Sequence, residues 1–73
     1  MTPLNTIRPG SKVRVLRLEA EEPMCLRLRE MGFSEDSVIR CLQSGGTCVC
    51  QIQHSRVGLS GQLASQIYVE PLT

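Results

Sequence analysis

The chain has 73 residues and a formal net charge of +1, from eight Lys and Arg against seven Asp and Glu. A chain of this length is expected to form one domain, residues 1–73, and its near-neutral charge excludes the strong positive field that holds nucleic acid or an anionic membrane. Phe33 and Tyr68 are its only aromatic residues, too few for a surface on which bases stack.

The first ten residues, MTPLNTIRPG, lack the apolar core of a secretory signal. No apolar run approaches the roughly 20 residues that span a bilayer. We therefore expect a cytoplasmic protein whose four cysteines are reduced thiols.

The N-terminal third is predicted to contain an anchored lead-in and a strand. Residues 2–10 carry Leu4 and Ile7 and end in a Pro-Gly turn. Residues 12–18, KVRVLRL, then alternate with the period of a half-buried strand, with Val13, Val15 and Leu18 on the inner side.

Residues 24–33, MCLRLREMGF, are the one segment that predicts a substantial helix. At 3.6 residues per turn, Met24, Leu28 and Met31 form an inward stripe with Cys25 at its edge. Gly32 is placed to end the helix in a left-handed conformation, and Phe33 supplies an apolar anchor behind it.

Leu26 lies on the opposite side of this helix from the stripe. Its neighbours there are the charged residues Glu22, Arg29 and Glu30, and Arg27 follows it directly. A leucine left outside the core is a weak indication of a contact surface, so we take Leu26, Arg27 and Glu30 as the candidate partner-binding residues.

The remaining chain predicts four more short strands. Asp36 stands in a turn and tolerates a positive φ. A hairpin of residues 38–43 and 48–53 follows, then a strand at 55–59 in which Gly58 indicates a bulge or a close backbone contact. Residues 60–65 are expected to make one helical turn, and the last strand, 66–70, is expected to end at Pro71. Five strands with one inserted α-helix fit a mainly β, strongly curved sheet that closes on itself with the helix as a lid or plug.

Three blocks of this pattern resemble the FeoA family of bacterial ferrous iron transport. The blocks are Leu4-x-x-Ile7-x-Pro9-Gly10, Leu26-Arg27-Leu28-x-x-Met31-Gly32-Phe33, and Leu59 with Ala64-x-x-Ile67-x-Val69. The chain departs from the family at Asp36, where glycine is common, and at the hairpin tip Gly45-Gly46-Thr47. The resemblance implies a small SH3-like barrel.

The same resemblance implies a function. It indicates a non-enzymatic accessory protein that acts with FeoB, a membrane ferrous transporter with a cytoplasmic GTPase domain. No cofactor is required on this interpretation. A transient Fe(II) contact at the acidic residues Glu19, Glu21 and Glu22 stays open, because ferrous ions accept carboxylates.

The cysteines offer an alternative function, a carrier or sensor of iron or zinc. Cys41, Cys48 and Cys50, with His54 or Cys25, have the ligand types that these metals take. The Cys48-x-Cys50 spacing is not that of a zinc knuckle, and the alternation places these thiols in the core, where free cysteine acts as a small hydrophobe. We favour the core assignment.

A nucleic-acid-binding SH3-like module is a third alternative function. The near-neutral charge and the scarcity of aromatic residues oppose it.

Overall fold

The structure is a computed structural model that describes residues 1–72. The chain folds into one six-stranded antiparallel sheet with an α-helix inserted after the second strand. A single 3-10 turn, Leu4–Thr6, follows the first strand. The strands and helices are β1 (Thr2–Pro3), β2 (Lys12–Leu18), α1 (Glu22–Glu30), β3 (Val38–Gln43), β4 (Thr47–Ile52), β5 (Ser55–Ser60), α2 (Gly61–Ala64) and β6 (Ile67–Pro71). Neither helix is long and apolar enough to cross a membrane, as far as residues 1–72 go.

The strand order in the sheet is β1-β6-β2-β3-β4-β5. The predicted mainly β, SH3-like architecture is confirmed. The strand count differs, because five were expected and Thr2–Pro3 adds a sixth by pairing with Val69 and Tyr68 of β6. Two residues, one of them proline, give no alternation from which a strand is recognisable.

A bulge in β2 brings Leu18 to the inner side of the sheet with Val13 and Val15. Val15 pairs with Val69 and Arg17 with Tyr68, so Leu16 is an extra residue on β2. Leu18 packs against the core as predicted.

The core is built from alternate residues of the strands, from the lead-in and from α1. Its buried members are Leu4, Ile7, Val13, Val15, Leu28, Phe33, Ile39, Cys41, Cys48, Cys50, Leu59, Ala64, Ile67 and Val69.

The inward side of α1 is rotated from the predicted stripe. Leu28 is fully buried and Met24 packs against the core, but Cys25 is buried and Met31 is 40% exposed. The expectation for Met31 was therefore wrong. The helix begins at Glu22 and ends at Glu30, and the Cys25 thiol, which donates to the Ala20 carbonyl at 3.1 Å, marks the side that faces the sheet. The spacing of apolar residues alone does not show whether Met31 or Cys25 faces the core.

The end of α1 is a Schellman motif. The Phe33 N–H donates to the Leu28 carbonyl at 2.9 Å and the Gly32 N–H to the Arg29 carbonyl at 3.1 Å, with Gly32 at φ 108°. The apolar pair that accompanies this motif is Leu28 and Phe33, and both are fully buried. The predicted stop at Gly32 and anchor at Phe33 are confirmed.

Four further local predictions give a mixed outcome. Asp36 has a φ of 72°, as expected, and residues 61–64 form the single helical turn. Gly58 neither bulges nor meets a close neighbour: it pairs regularly with Val49, and a β-carbon there would meet nothing within 4 Å. Pro71 still pairs with Val13, so the strand ends one residue later than predicted.

Candidate functional site

The predicted partner-binding residues lie together on the outer side of α1. Leu26 is 58% exposed, and Arg27 and Glu30 are exposed beside it. Leu26 and Glu30 are one turn apart, and Arg27 follows Leu26 directly, so the three side chains form one continuous patch. We call this set the helix patch. Its role in binding stays a prediction.

Charge on the helix patch is unpaired within the part of the chain that the structure describes. Four ion pairs are present there, and they use Arg14, Arg17 and Arg29 as cations. Neither Arg27 nor Glu30 takes part in one. Both charges are therefore available to a partner without the loss of an internal contact.

Arg29, on the same helix, is engaged instead in holding α1 to the following loop. Its guanidinium lies 3.1 Å from Glu35 Oε2 and 3.4 Å from Glu22 Oε1. The hydrogen bond from Arg29 lowers the pKa of the Glu35 carboxyl from its usual range. Arg29 is thus engaged within the chain and is not counted as part of the helix patch.

Cys41, Cys48 and Cys50 are fully buried in the core, as the alternation predicted. Cys41 is the register partner of Cys50. The Cys41 N–H donates to Ser11 and its carbonyl accepts from Gly10, so its backbone bonds point away from β4. The Cys41 and Cys50 side chains therefore face each other at a non-hydrogen-bonded position, where antiparallel strands approach most closely.

Burial disfavours the thiolate form of these cysteines. It raises the pKa of Cys41 and of Cys48, and it raises the pKa of Cys50 to about 12, with a further contribution from the neighbouring thiols. Metals bind the thiolate form of cysteine. The free-energy cost of deprotonating these buried thiols therefore opposes metal binding near neutral pH.

The other proposed metal ligands are not gathered around the core thiols. His54 is exposed in the tight turn between β4 and β5, and Cys25 is on the buried side of α1. Glu19 pairs with Arg17 and Glu22 with Arg29, which occupies two of the three acidic residues considered for Fe(II). Within residues 1–72 no three His, Cys, Asp or Glu side chains are grouped so as to hold a metal ion. The metal hypothesis stays a prediction to be tested by titration.

Sequence reasoning missed a second surface feature, an open cavity of about 210 Å³ on the outer side of the sheet. Its lining residues are Lys12, Val38, Ile39, Arg40, Gln51 and Gln53. They come from three strands and the turn after β4, so only the strand register brings them together. The one signal in the sequence is that Val38 and Arg40 stand at alternate positions of β3, on the side opposite the buried Ile39.

Comparison with known proteins places this geometry in a family. A family model described as FeoA domain matches residues 2–71. Among solved structures, an iron uptake regulatory protein (FeoA) is similar with a TM-score of 0.88 at 25% identity, and the match covers 97% of each chain. No curated protein sequence gives a match.

Two longer proteins contain the same fold. Iron(II) transport protein A from Clostridium thermocellum is similar at 28% identity with a TM-score of 0.85, over 97% of this chain and 46% of that one. A manganese-dependent transcriptional repressor is similar at 29% identity with a TM-score of 0.84, over 97% of this chain and 41% of that one. The present chain thus spans less than half of either protein.

Proposed function

The chain belongs to the FeoA domain family, and from this membership we propose that it is a non-enzymatic accessory protein of ferrous iron uptake. It binds the cytoplasmic part of a FeoB-type membrane transporter and modulates that transporter. Two of the similar solved structures are an iron uptake regulatory protein and an iron(II) transport protein, which supports the association with iron uptake.

The observation that carries the proposal within this chain is the helix patch. Leu26 is 58% exposed on the helix, beside Arg27 and Glu30, whose charges take part in no ion pair within residues 1–72. Apolar centres with a charged rim are the usual anatomy of protein contacts. The proposal assigns Leu26 to the buried centre of the contact and Arg27 and Glu30 to its rim.

The test is retention of the transporter's purified cytoplasmic domain on immobilised chain, compared among wild type, Leu26→Glu and Leu72→Glu. Leu72 is also an exposed apolar residue, 40% accessible, but it follows β6 and lies outside the helix patch, so Leu72→Glu is the matched control. We expect wild type and Leu72→Glu to retain the domain and Leu26→Glu to lose it. Amide NMR spectra establish that each variant is folded.

Two results would contradict the proposal at different levels. Retention by folded Leu26→Glu equal to that of wild type would exclude the helix patch as the contact. No retention by wild type, together with an unchanged rate of GTP hydrolysis by the domain when the chain is added, would exclude the partnership itself.

A further inference from the structure

One outward side chain from each of four neighbouring strands lies in a single line across the sheet. Lys12 of β2 is the register partner of Arg40 of β3, Arg40 pairs with Gln51 of β4, and Gln51 pairs with Arg56 of β5. We call these four residues the cross-strand row. Three of the four are exposed cations, in a chain whose formal net charge is only +1.

The cross-strand row places like charges directly opposite each other. Lys12 faces Arg40, an arrangement that destabilises an antiparallel pair. The Arg40 guanidinium donates to the Gly10 carbonyl at 2.8 Å, which directs its charge toward β2 and so toward Lys12. The fold therefore places the two cations at opposite positions on neighbouring strands.

No carboxylate within residues 1–72 neutralises this charge. The four ion pairs in that range involve Arg14, Arg17 and Arg29, and none involves a member of the cross-strand row. Glu70 is the nearest acid by register, opposite Arg14 on β2, and it is paired with Arg14 at 3.6 Å. The row is thus an uncompensated cationic surface.

The open cavity of about 210 Å³ lies against the same residues. Lys12, Arg40 and Gln51 line it, and Gln53 adds a second carboxamide. Val38, another lining residue, is 46% exposed. The surface therefore combines N–H donors with an apolar side chain, which suits a segment of polypeptide better than a free ion.

We propose that the cross-strand row binds an extended acidic segment of a partner protein, with carboxylates at alternate positions. Neighbouring strands lie about 4.8 Å apart, so the row from Lys12 to Arg56 spans about 14 Å. Alternate side chains of an extended segment lie about 6.8 Å apart, so three of them span about the same length. Nucleic acid is the less suitable ligand, because the row contains no aromatic side chain on which bases stack.

This surface shares no residue with the helix patch. A negative result for the cross-strand row would therefore not contradict the proposed transporter contact at the helix patch. A negative result for the transporter contact would likewise not contradict binding at the cross-strand row.

The test is an NMR titration of the isotope-labelled full chain with the capped peptide Glu-Ser-Glu-Ser-Glu. The comparison ligands are Gln-Ser-Gln-Ser-Gln, a peptide of equal charge with its three glutamates adjacent, inorganic phosphate and a short oligouridylate. We expect saturable shifts centred on the cross-strand row with the alternating acidic peptide, and weaker binding of each comparison ligand.

Three variants, each of which replaces one cation, identify the binding residues. Arg40→Gln and Lys12→Gln are each expected to weaken binding by about fivefold to tenfold, the loss of one charge-assisted contact. Arg17→Gln removes the same charge at the far end of β2 and is expected to leave the affinity within about twofold. Amide spectra report whether each variant is folded.

Four outcomes would overturn the proposal. They are the absence of saturable binding, equal weakening by Arg17→Gln, equal binding of the adjacent-glutamate peptide, and tighter binding of phosphate or oligouridylate at the same residues. The last result would assign the surface to another ligand.

Discussion

The side chain of Ile52 fills the space that a β-carbon on Gly32 would occupy. Such a carbon would lie 2.8 Å from Ile52 Cγ2 and 3.3 Å from Cδ1. The residue that ends α1 is therefore also the point at which the helix exit meets the end of β4.

Replacement of Gly32 by alanine is expected to lower the free energy of unfolding by about 2 kcal/mol or more, from left-handed backbone strain and overpacking together. Gly10 is the matched control: its φ of 94° is similar, but a β-carbon there meets nothing within 4 Å. Gly10→Ala should therefore cost about 1 kcal/mol, the backbone contribution alone. Urea unfolding measures both. In a double-mutant cycle, Ile52→Ala should recover part of the Gly32→Ala loss; full additivity would contradict the packing explanation.

Gly61 and Gly58 are expected to respond to alanine in opposite directions. A β-carbon on Gly61 would collide with the Gly45 carbonyl oxygen, a main-chain atom, whereas one on Gly58 meets open space. Gly61→Ala should cost about 1–3 kcal/mol. Gly58→Ala should be neutral or stabilise the fold by up to about 1 kcal/mol, because it removes glycine from a strand interior. Thermal unfolding compares the two, and similar losses at both sites would contradict the prediction.

Alkaline pH is expected to destabilise the fold through the core thiols. In the folded chain burial raises the pKa of Cys50 to about 12, whereas an unfolded cysteine titrates near about 8.5. Between these values the unfolded state has released the proton and the folded state has not, so the free energy of unfolding falls as pH rises, by up to about 1.4 kcal/mol per pH unit for each such thiol. Urea unfolding under reducing, anaerobic conditions at a series of pH values measures this slope. Cys50→Ala should have a shallower slope, and an identical slope would exclude Cys50 as the titrating group.

The Arg29–Glu35 pair is expected to contribute a small, salt-sensitive stabilisation. Both side chains are more than one-third exposed, so the solvent screens most of the attraction. Since the pKa of Glu35 is lowered in the folded chain, its contribution is present at neutral pH and disappears as the carboxyl is protonated in acid. Arg29→Gln should therefore differ from wild type in low salt at pH 7 and converge with it at high salt or low pH. Arg27→Gln, which removes an unpaired cation, is the control that should show no such convergence.

Metal titration is expected to give no stoichiometric binding to the folded, reduced chain at pH 7. The core thiols are fully buried and their raised pKa values disfavour the thiolate. Anaerobic Fe(II) and Zn(II) titrations, followed by calorimetry, should give the same result for wild type and for Cys48→Ser/Cys50→Ser. Stoichiometric binding by wild type that the variant loses would restore the carrier or sensor hypothesis.

The sequence predicted those features that depend on local periodicity. Val13, Val15, Ile39, Cys41, Cys48 and Cys50 stand at alternate positions of their strands, and all are buried. Leu26 was predicted to be exposed because two helical positions separate it from Leu28, and a helix turns by about 200° over that interval. Gly32 followed the helix directly, which fixed the position of the stop.

The features that sequence analysis missed depend on contacts between distant residues. Whether Met31 or Cys25 faces inward is decided by where the sheet lies beneath α1. Gly61 is confined by the Gly45–Gly46 turn, which is remote in sequence. The cross-strand row exists only because Lys12, Arg40, Gln51 and Arg56 come into register, and a bulge in β3, between the hairpin turn and the Arg40–Gln51 pair, shifts that register in a way that composition does not reveal.

The position of β6 has a consequence for the order in which the fold can form during synthesis. β6 lies between β1 and β2, so the strand that joins them is the last of the six to be synthesised. Until residues 67–71 emerge, β1 has no partner, one edge of β2 is open, and Ile67 and Val69 are missing from the core. Folding of the nascent chain is therefore delayed until translation of β6, and a chain truncated before Ile67 would present an unpaired strand edge to aggregation and proteolysis.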